Sequence, residues 1–186
     1  MKLAILDHET TGFDPDYDES IELFIQIWTP EQGLVPAEQG GVFYRLWMPQ
    51  GSCSEGAAKV NGYSREAWAA RGARPLVVED LYELNQWLTH HEPDMWAGAA
   101  TAFDVAFLKG LYKRARASLP KMSHRMVDVQ SLALPLLLSG ELQSVSLASL
   151  ASHFGITNPA QHTSQGDVAT TAQVLESLCA KYLQAA

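Results

Sequence analysis

The sequence predicts an α/β fold, a mixed sheet flanked by helices, and three observations carry that prediction. Residues 1–48 hold three strand-like segments with no helical pattern between them. The rest of the chain alternates helical stripes with short apolar runs. The composition, 47% apolar and 18% charged over 186 residues, is that of an ordinary globular domain with a full core. With no internal repeat, low-complexity segment or linker, one domain is expected over residues 1–186.

Lys2 to Leu6 is a short apolar strand that stops at Asp7. Ser20 to Trp28 alternates, with Ile21, Leu23, Ile25 and Ile27 on one face and Glu22, Phe24, Gln26 and Trp28 on the other, as a strand does. Val42 to Met48 is a third strand, after a Pro- and Gly-rich connection, and the first three strands form an antiparallel meander. Ser64 is placed to N-cap a short helix to about Ala70. Leu81, Leu84, Trp87 and Leu88 make a helical stripe over Glu79 to His90. Met95 to Ala99 is a short buried strand, and Phe103 to about Ala117 is a helix with Phe107, Leu108, Leu111 and Tyr112 along one side. Leu147 to Phe154 is a further helix ended by Gly155. Val168, Ala172, Leu175, Cys179 and Tyr182 define the last helix, from Asp167 to about Gln184.

The formal net charge is −8, against the basic balance expected of a protein that coats nucleic acid. Yet Lys109, Lys113, Arg114, Arg116, Lys121 and Arg125 fall in one window that contains no Asp or Glu. Lys109, Lys113 and Arg116 step along one helix face, which suits either a solvated face or phosphate contact. The stretch from Val127 to Leu150 holds Asp128 and Glu141 and is broken by Pro135 and Gly140, so it does not read as a membrane span. Cys53 and Cys179 stand alone, the N-terminus enters a strand directly, and a cytoplasmic protein is expected.

Four acids sit at element ends. Asp7 and Glu9 follow the first strand, and residues two apart in an extended chain point the same way. Asp104 lies at the start of one helix and Asp167 opens another, where the helix dipole favours a carboxylate. Either acid taken alone is more often an ordinary cap. Four carboxylates in one pocket repel each other unless cations intervene. All-oxygen ligation suits Mg²⁺ or Mn²⁺, and two such ions roughly 4 Å apart clamp an in-line displacement at phosphorus. His162 precedes Asp167 by a flexible stretch, Thr163 to Gly166, which lets an imidazole lean over such a pair as a base.

These residues carry a resemblance. Asp7-His8-Glu9-Thr10-Thr11-Gly12 resembles the first motif of the DEDDh, or DnaQ-like, 3'–5' exonucleases. Phe103-Asp104-Val105-Ala106-Phe107-Leu108 resembles the second, and His162 through Asp167, an H-x4-D spacing, the third. Ala57 to Tyr63 sits where relatives carry a V-H-G-I-like turn, and Met126-Val127-Asp128 resembles the strand before the stretch ending in Leu-Ala-x-x-Phe-Gly. The similarity spans nearly the whole chain. It implies a ribonuclease H-like fold with a five-stranded mixed sheet, the first three strands antiparallel and the rest parallel.

The resemblance further implies Asp7, Glu9, Asp104 and Asp167 as ligands of two Mg²⁺, with Mn²⁺ able to substitute, and His162 as general base. Thr10, Thr11 and Gly12 would lie along the terminal nucleotide, where Gly12 permits close approach. Phe13 matches a position that stacks on terminal bases in relatives; read on its own, it packs on the core equally well. Asn61 and Phe103 are further substrate-binding candidates, and Lys109, Lys113 and Arg116 candidate phosphate contacts. The expected reaction is hydrolysis of the last phosphodiester of single-stranded DNA or RNA, DNA being favoured, with release of nucleoside 5'-monophosphates. The alternatives are an oligoribonuclease-like trimmer of RNA ends, against which Glu9-Thr10-Thr11-Gly12 stands, and a silent module that binds 3' ends or scaffolds a polymerase. A polymerase partner is possible, although the chain stops at Leu183 to Ala186 with no tethering tail. Two departures stand out: Ala99-Ala100 where relatives carry His-Asn, and Asn61 where they often carry His. Asp128 reads as a cap or a supporting acid, and Glu22 as a buried partner for a basic group.

Overall fold

A computed structural model describes residues 1–30, 33–37 and 41–184. The elements run β1 (Leu3–Thr10), β2 (Ser20–Pro30), β3 (Leu34–Pro36), β4 (Val42–Leu46), α1 (Glu55–Asn61), α2 (Arg65–Ala70), α3 (Val78–His91), β5 (Met95–Gly98), α4 (Thr101–Arg114), β6 (Met126–Asp128), α5 (Val129–Leu132), α6 (Leu134–Leu138), α7 (Leu147–His153) and α8 (Ser164–Gln184). Ala185 and Ala186, part of the end that suggested no tether, lie outside the described residues.

The sheet runs β3-β2-β1-β5-β6, with β4 also on β2. β1, β2 and β4 form the expected antiparallel meander, and β5 and β6 add in parallel beyond β1. The five expected strands are present, and β3 makes a sixth. With three residues inside the Pro- and Gly-rich connection, it is too short to display an alternation. The short helices α1, α5 and α6 escape a periodicity reading for the same reason.

β1 is central, and both of its faces are covered. Leu3 and Ile5 pack with Phe24 and with Val168, Ala172 and Leu175 of α8. Ala4 and Leu6 pack with Leu84 of α3 and Val105 and Leu108 of α4. A strand buried on both sides is a continuous apolar run rather than an alternation, which explains Leu3-Ala4-Ile5-Leu6. The odd-numbered series continues into Asp7 and Glu9, so both face α8.

Three boundaries differ from the sequence expectation. β1 continues to Thr10, because β2 is long enough to pair Asp7 with Phe24 and Glu9 with Glu22; the two acids lie within the strand, not after it. α4 ends at Arg114, and Arg116 adopts a left-handed φ of 52°, so Lys109, Lys113 and Arg116 do not share one helical face. α8 begins at Ser164, so Ser164 to Gly166 are helical and Asp167 sits in the first turn.

Opposite the α8 side, Asp80 fastens α3 to the meander. It is 0% exposed and accepts from Trp47 Nε1 at 3.0 Å, Arg45 Nε at 3.3 Å and Arg74 Nη1 at 2.9 Å. Removing its carboxylate orphans a buried indole N–H and two guanidinium contacts. Asp80→Ala is expected to lower the unfolding free energy by about 2–4 kcal/mol, checked by urea denaturation.

Candidate metal centre

Asp7, Glu9 and Asp167 each present a carboxylate oxygen within 4.8 Å of the others. They meet because the odd face of β1 packs on α8, whose Val168 and Ala172 fill the core below. Asp167 is held by the side-chain amide of Asn158, which donates to Oδ1 at 2.7 Å, and by the backbone N–H of His162. The sequence reading missed Asn158; its only signal is the turn-forming Asn158-Pro159 dipeptide.

Asp104 arrives from the other side of the sheet. Its Oδ1 accepts from the backbone N–H of His8 at 3.1 Å, which fixes it beside Asp7 and Glu9. Gly98, the last residue of β5, permits this: a Cβ there would stand 3.3 Å from Asp104 Oδ2 and 3.3 Å from the Leu6 carbonyl. The cap position before α4 is Ala100, where relatives by resemblance carry Asn. Ala100 makes no side-chain cap; Asp128 Oδ2 instead accepts from the Thr101 N–H at 3.0 Å, and its Oδ1 from Ser131 N–H at 2.9 Å. Asp128 is therefore a cap for two helices.

The electrostatics follow from crowding. Burial, then the Asp104, Glu9, Asp167 and Glu22 charges, push the Asp7 carboxyl well above its ordinary range. Burial, then Asp167, Glu22 and Asp104, push Glu9 up to about 8, with Arg71 pulling the other way. Burial drives Asp104 to about 8 against the stabilising His8 N–H. Burial also raises Asp167, opposed by Asn158 and His162. His8, between the two strand acids, is buried on the opposite face, with Nδ1 2.7 Å from Ser20 Oγ, and burial lowers it to about 3. It is a neutral structural imidazole.

His162 is exposed at a left-handed φ of 62° and lines a groove of about 490 Å³ together with Asn158, Gln161 and Asp167. The stretch expected to be flexible is ordered instead: the Asp167 N–H donates to the Thr163 carbonyl at 2.9 Å and Gly166 N–H to Thr163 Oγ1 at 3.2 Å. A Cβ on Gly166 would fall 2.2 Å from the Ala160 carbonyl, so only glycine fits.

The remaining candidates divide. Thr10 is buried, its Oγ1 donating to the Gly12 carbonyl at 2.6 Å, and Thr11 Oγ1 accepts from Glu19 N–H at 2.8 Å. Beside Gly12 the space a Cβ would need is filled by the Asp18 carboxylate, 2.4 Å away, which gives a local reason for that glycine. Phe13 is 80% exposed and thus outside the core, as is Tyr17 on the same loop at 83%. Asn61 ends α1 and donates to the Thr10 carbonyl at 3.0 Å while accepting from Tyr63 N–H. Phe103 rests on Phe107, with ring centroids 4.7 Å apart, and borders a second groove with Ala100 and Asp128. Lys109 is exposed; Lys113 Nζ is 2.7 Å from Asp16 Oδ1; Arg114 holds the Asp18 carbonyl at 2.6 Å. Glu22 has the basic partner expected for it, Arg71, at 2.7 Å.

A family model described as an exonuclease, RNase_T, matches residues 4–175. The chain is 27% identical over 174 residues to a PolC-type DNA polymerase III of Thermotoga maritima, and 26% identical to that of Thermotoga petrophila. Those matches cover 92% of this chain and 11% of the polymerases, so it spans about a tenth of their length. Among solved structures, cell-death related nuclease 4 superposes with a TM-score of 0.72 at 14% identity, covering 97% of this chain and 64% of that one. E. coli exonuclease I in complex with a dT13 oligonucleotide superposes at 0.75 and 16% identity, covering 97% and 41%. These likenesses show the fold. No described helix is long and apolar enough to cross a membrane, and Cys53 and Cys179 are unpaired.

Glu9 and Asp104 hold protons in the folded state up to about pH 8 and, unfolded, lose them near 4.5 and 3.8. A raised carboxyl pKa stabilises the fold fully at low pH, and that contribution is lost as pH climbs toward 8. The metal-free protein is therefore expected to melt at a lower temperature at pH 8 than at pH 5.5. Added Mn²⁺ should raise the melting temperature more at pH 8, where the clustered carboxyls ionise readily. Differential scanning fluorimetry with and without chelator checks both.

Proposed function

The chain belongs to the RNase_T exonuclease family, the DnaQ-like 3'–5' exonucleases of ribonuclease H-like fold, and we propose that it removes nucleotides one at a time from the 3' end of single-stranded DNA. The observation that carries this is the convergence of Asp7, Glu9 and Asp167 within 4.8 Å, at the mouth of a groove lined by His162. The donor set fits a divalent cation: three clustered carboxylates, a fourth beside them, no sulfur or imidazole in the cluster among the described residues, and mutual repulsion that a cation relieves. Two Mg²⁺ held by Asp7, Glu9, Asp104 and Asp167, with Mn²⁺ as a substitute, would supply an activated water and stabilisation for the leaving oxygen.

The chain's own residues do the rest. Asn158 and the His162 N–H fix Asp167, and the His8 N–H fixes Asp104, so the ligand geometry is set before substrate arrives. His162, exposed above Asp167, takes the proton of the attacking water at a ring nitrogen. Phe13, assisted by Tyr17, offers an exposed aromatic face on which a base of any sequence stacks. DNA is favoured by the exonuclease I structure, which holds a dT13 oligonucleotide. With Lys113 engaged by Asp16 and Arg114 by the loop backbone, few cations face the strand, which supports a short footprint and distributive action.

Asp7→Asn and Asp167→Asn are each expected to reduce cleavage by about a thousandfold or more while leaving the circular dichroism spectrum unchanged. A time course on 5'-labelled single-stranded DNA, duplex DNA and RNA, with EDTA and Mg²⁺ add-back, reads activity, polarity and sugar preference together. Full activity in either variant, or activity in excess chelator, would sink the assignment.

A further inference from the structure

One buried acid next to the metal centre has no place in the reaction as described. Glu22 stands directly across from Glu9 in the β1–β2 ladder. Directly paired residues project from the same face of a sheet, so Glu22 shares the face of Asp7 and Glu9. It is 2% exposed. Its Oε1 accepts from Arg71 Nη2 at 2.7 Å and from the Tyr44 hydroxyl at 3.0 Å, and its Oε2 has no hydrogen-bond partner among the described residues.

The anchor is built from three elements. Tyr44 lies on β4, paired with Phe24, and so is diagonal to Glu22. Trp68 of α2 is buried and donates through Nε1 to the Ile21 carbonyl at 3.3 Å, which docks that helix against β2. Arg71, just past the end of α2, stacks over the Trp68 ring with its guanidinium carbon 4.6 Å from the centroid, and this delivers the cation to Glu22. Arg71 also touches the Tyr44 oxygen at 3.1 Å.

We propose that Glu22 is a positioning residue for the metal centre, and that Arg71 sets how strongly its charge is felt there. The inference rests on the metal-dependent reading above. Once Glu9 is ionised, as a bound cation requires, two like charges stand directly opposed across the ladder and repel. Because Glu22 is pinned on the β2 side, Glu9 is driven away from it, toward Asp7 and Asp167. The unpartnered Oε2 leaves negative potential at the cluster that Arg71 offsets only in part. In keeping with this, the Glu22 charge raises both Asp7 and Glu9, and the Arg71 charge opposes it at Glu9. Glu22 and Arg71 therefore pull cation affinity in opposite directions.

The test is Mn²⁺ binding by isothermal titration calorimetry on the purified chain without substrate, alongside thermal melting. Glu22→Gln keeps the shape and removes the charge; its Mn²⁺ dissociation constant is expected to rise by about three- to tenfold. Arg71→Gln should lower that constant. Tyr44→Phe, which deletes one hydrogen bond and no charge, should leave it near the wild-type value. A purely structural network would instead lower the melting temperature of all three variants with no opposed change in affinity. Wild-type protein that binds no Mn²⁺ overturns the metal-centre reading and this inference together. Wild-type binding with Glu22→Gln unchanged, or with both charge variants shifted the same way, overturns the inference alone.

Discussion

Asp7 and Glu9 lie inside a strand that is buried on both faces, and the cost of holding two carboxylates there is the constraint on which the rest of the site depends. A surface strand would solvate them. β1 does so only in part, because α8 packs on one side and α3 and α4 on the other, leaving Glu9 buried and Asp7 half-buried. The acids are therefore crowded with Asp167 and Asp104 in a place where their charges are poorly screened. The arrangement is unfavourable for the protein alone and favourable with a divalent cation. Stability and ligand binding are in tension at that one point, as is common where a fold keeps a functional site.

Asp104, Asp167 and Glu9 each meet a support outside the cluster, and the supports come from different parts of the chain. Asp104 is aimed by the His8 N–H and given room by Gly98. Asp167 is aimed by Asn158 and by a tight turn that only Gly166 can make against Ala160. Glu9 faces Glu22, which Arg71 and Tyr44 anchor. The first turn of α4 is closed by Asp128, in a neighbouring strand, rather than by the residue at the cap position. With Ala100 at the cap position, Asp128 of β6 still supplies a carboxylate to one of the open N–H groups at the start of α4, that of Thr101.

The clustered acids were legible in the sequence because their signals are local. The two-residue step from Asp7 to Glu9 and the placement of Asp104 and Asp167 near helix starts need only backbone geometry. The central strands and the long helices α3, α4 and α8 were legible for the same reason, since each carries enough residues to show a period. Asp128 and Glu22 were legible as supporting acids, but their partners were not, because these contacts join positions far apart in the chain: Asp128 to Thr101, Arg71 to Glu22, and likewise His8 to Asp104. Local patterns also misjudged continuity. Asp7 looked like a strand end because its polarity changes there, yet the ladder with β2 runs on. Thr163 to Gly166 looked flexible from composition, yet a threonine hydroxyl and two backbone groups order it.

The loop between β1 and β2 shows how an acidic protein of this family can meet a polyanion. Asp14, Asp16 and Asp18 concentrate negative charge within a few residues of Glu9. Part of that charge is engaged within the loop and by α4. Asp18 accepts from the Asp14 N–H at 2.9 Å and fills the space beside Gly12, and Asp16 engages Lys113. Arg114 binds the loop carbonyls of Tyr17 and Asp18. The basic end of α4 thus serves as a brace for the loop, and the loop in turn holds Phe13 and Tyr17 out into solvent. An aromatic face attracts a base without regard to net charge, and a cation in the carboxylate cluster attracts the phosphate. Recognition built from those two contacts needs no broad basic surface, which reconciles a net charge of −8 with a strand of nucleic acid as the ligand.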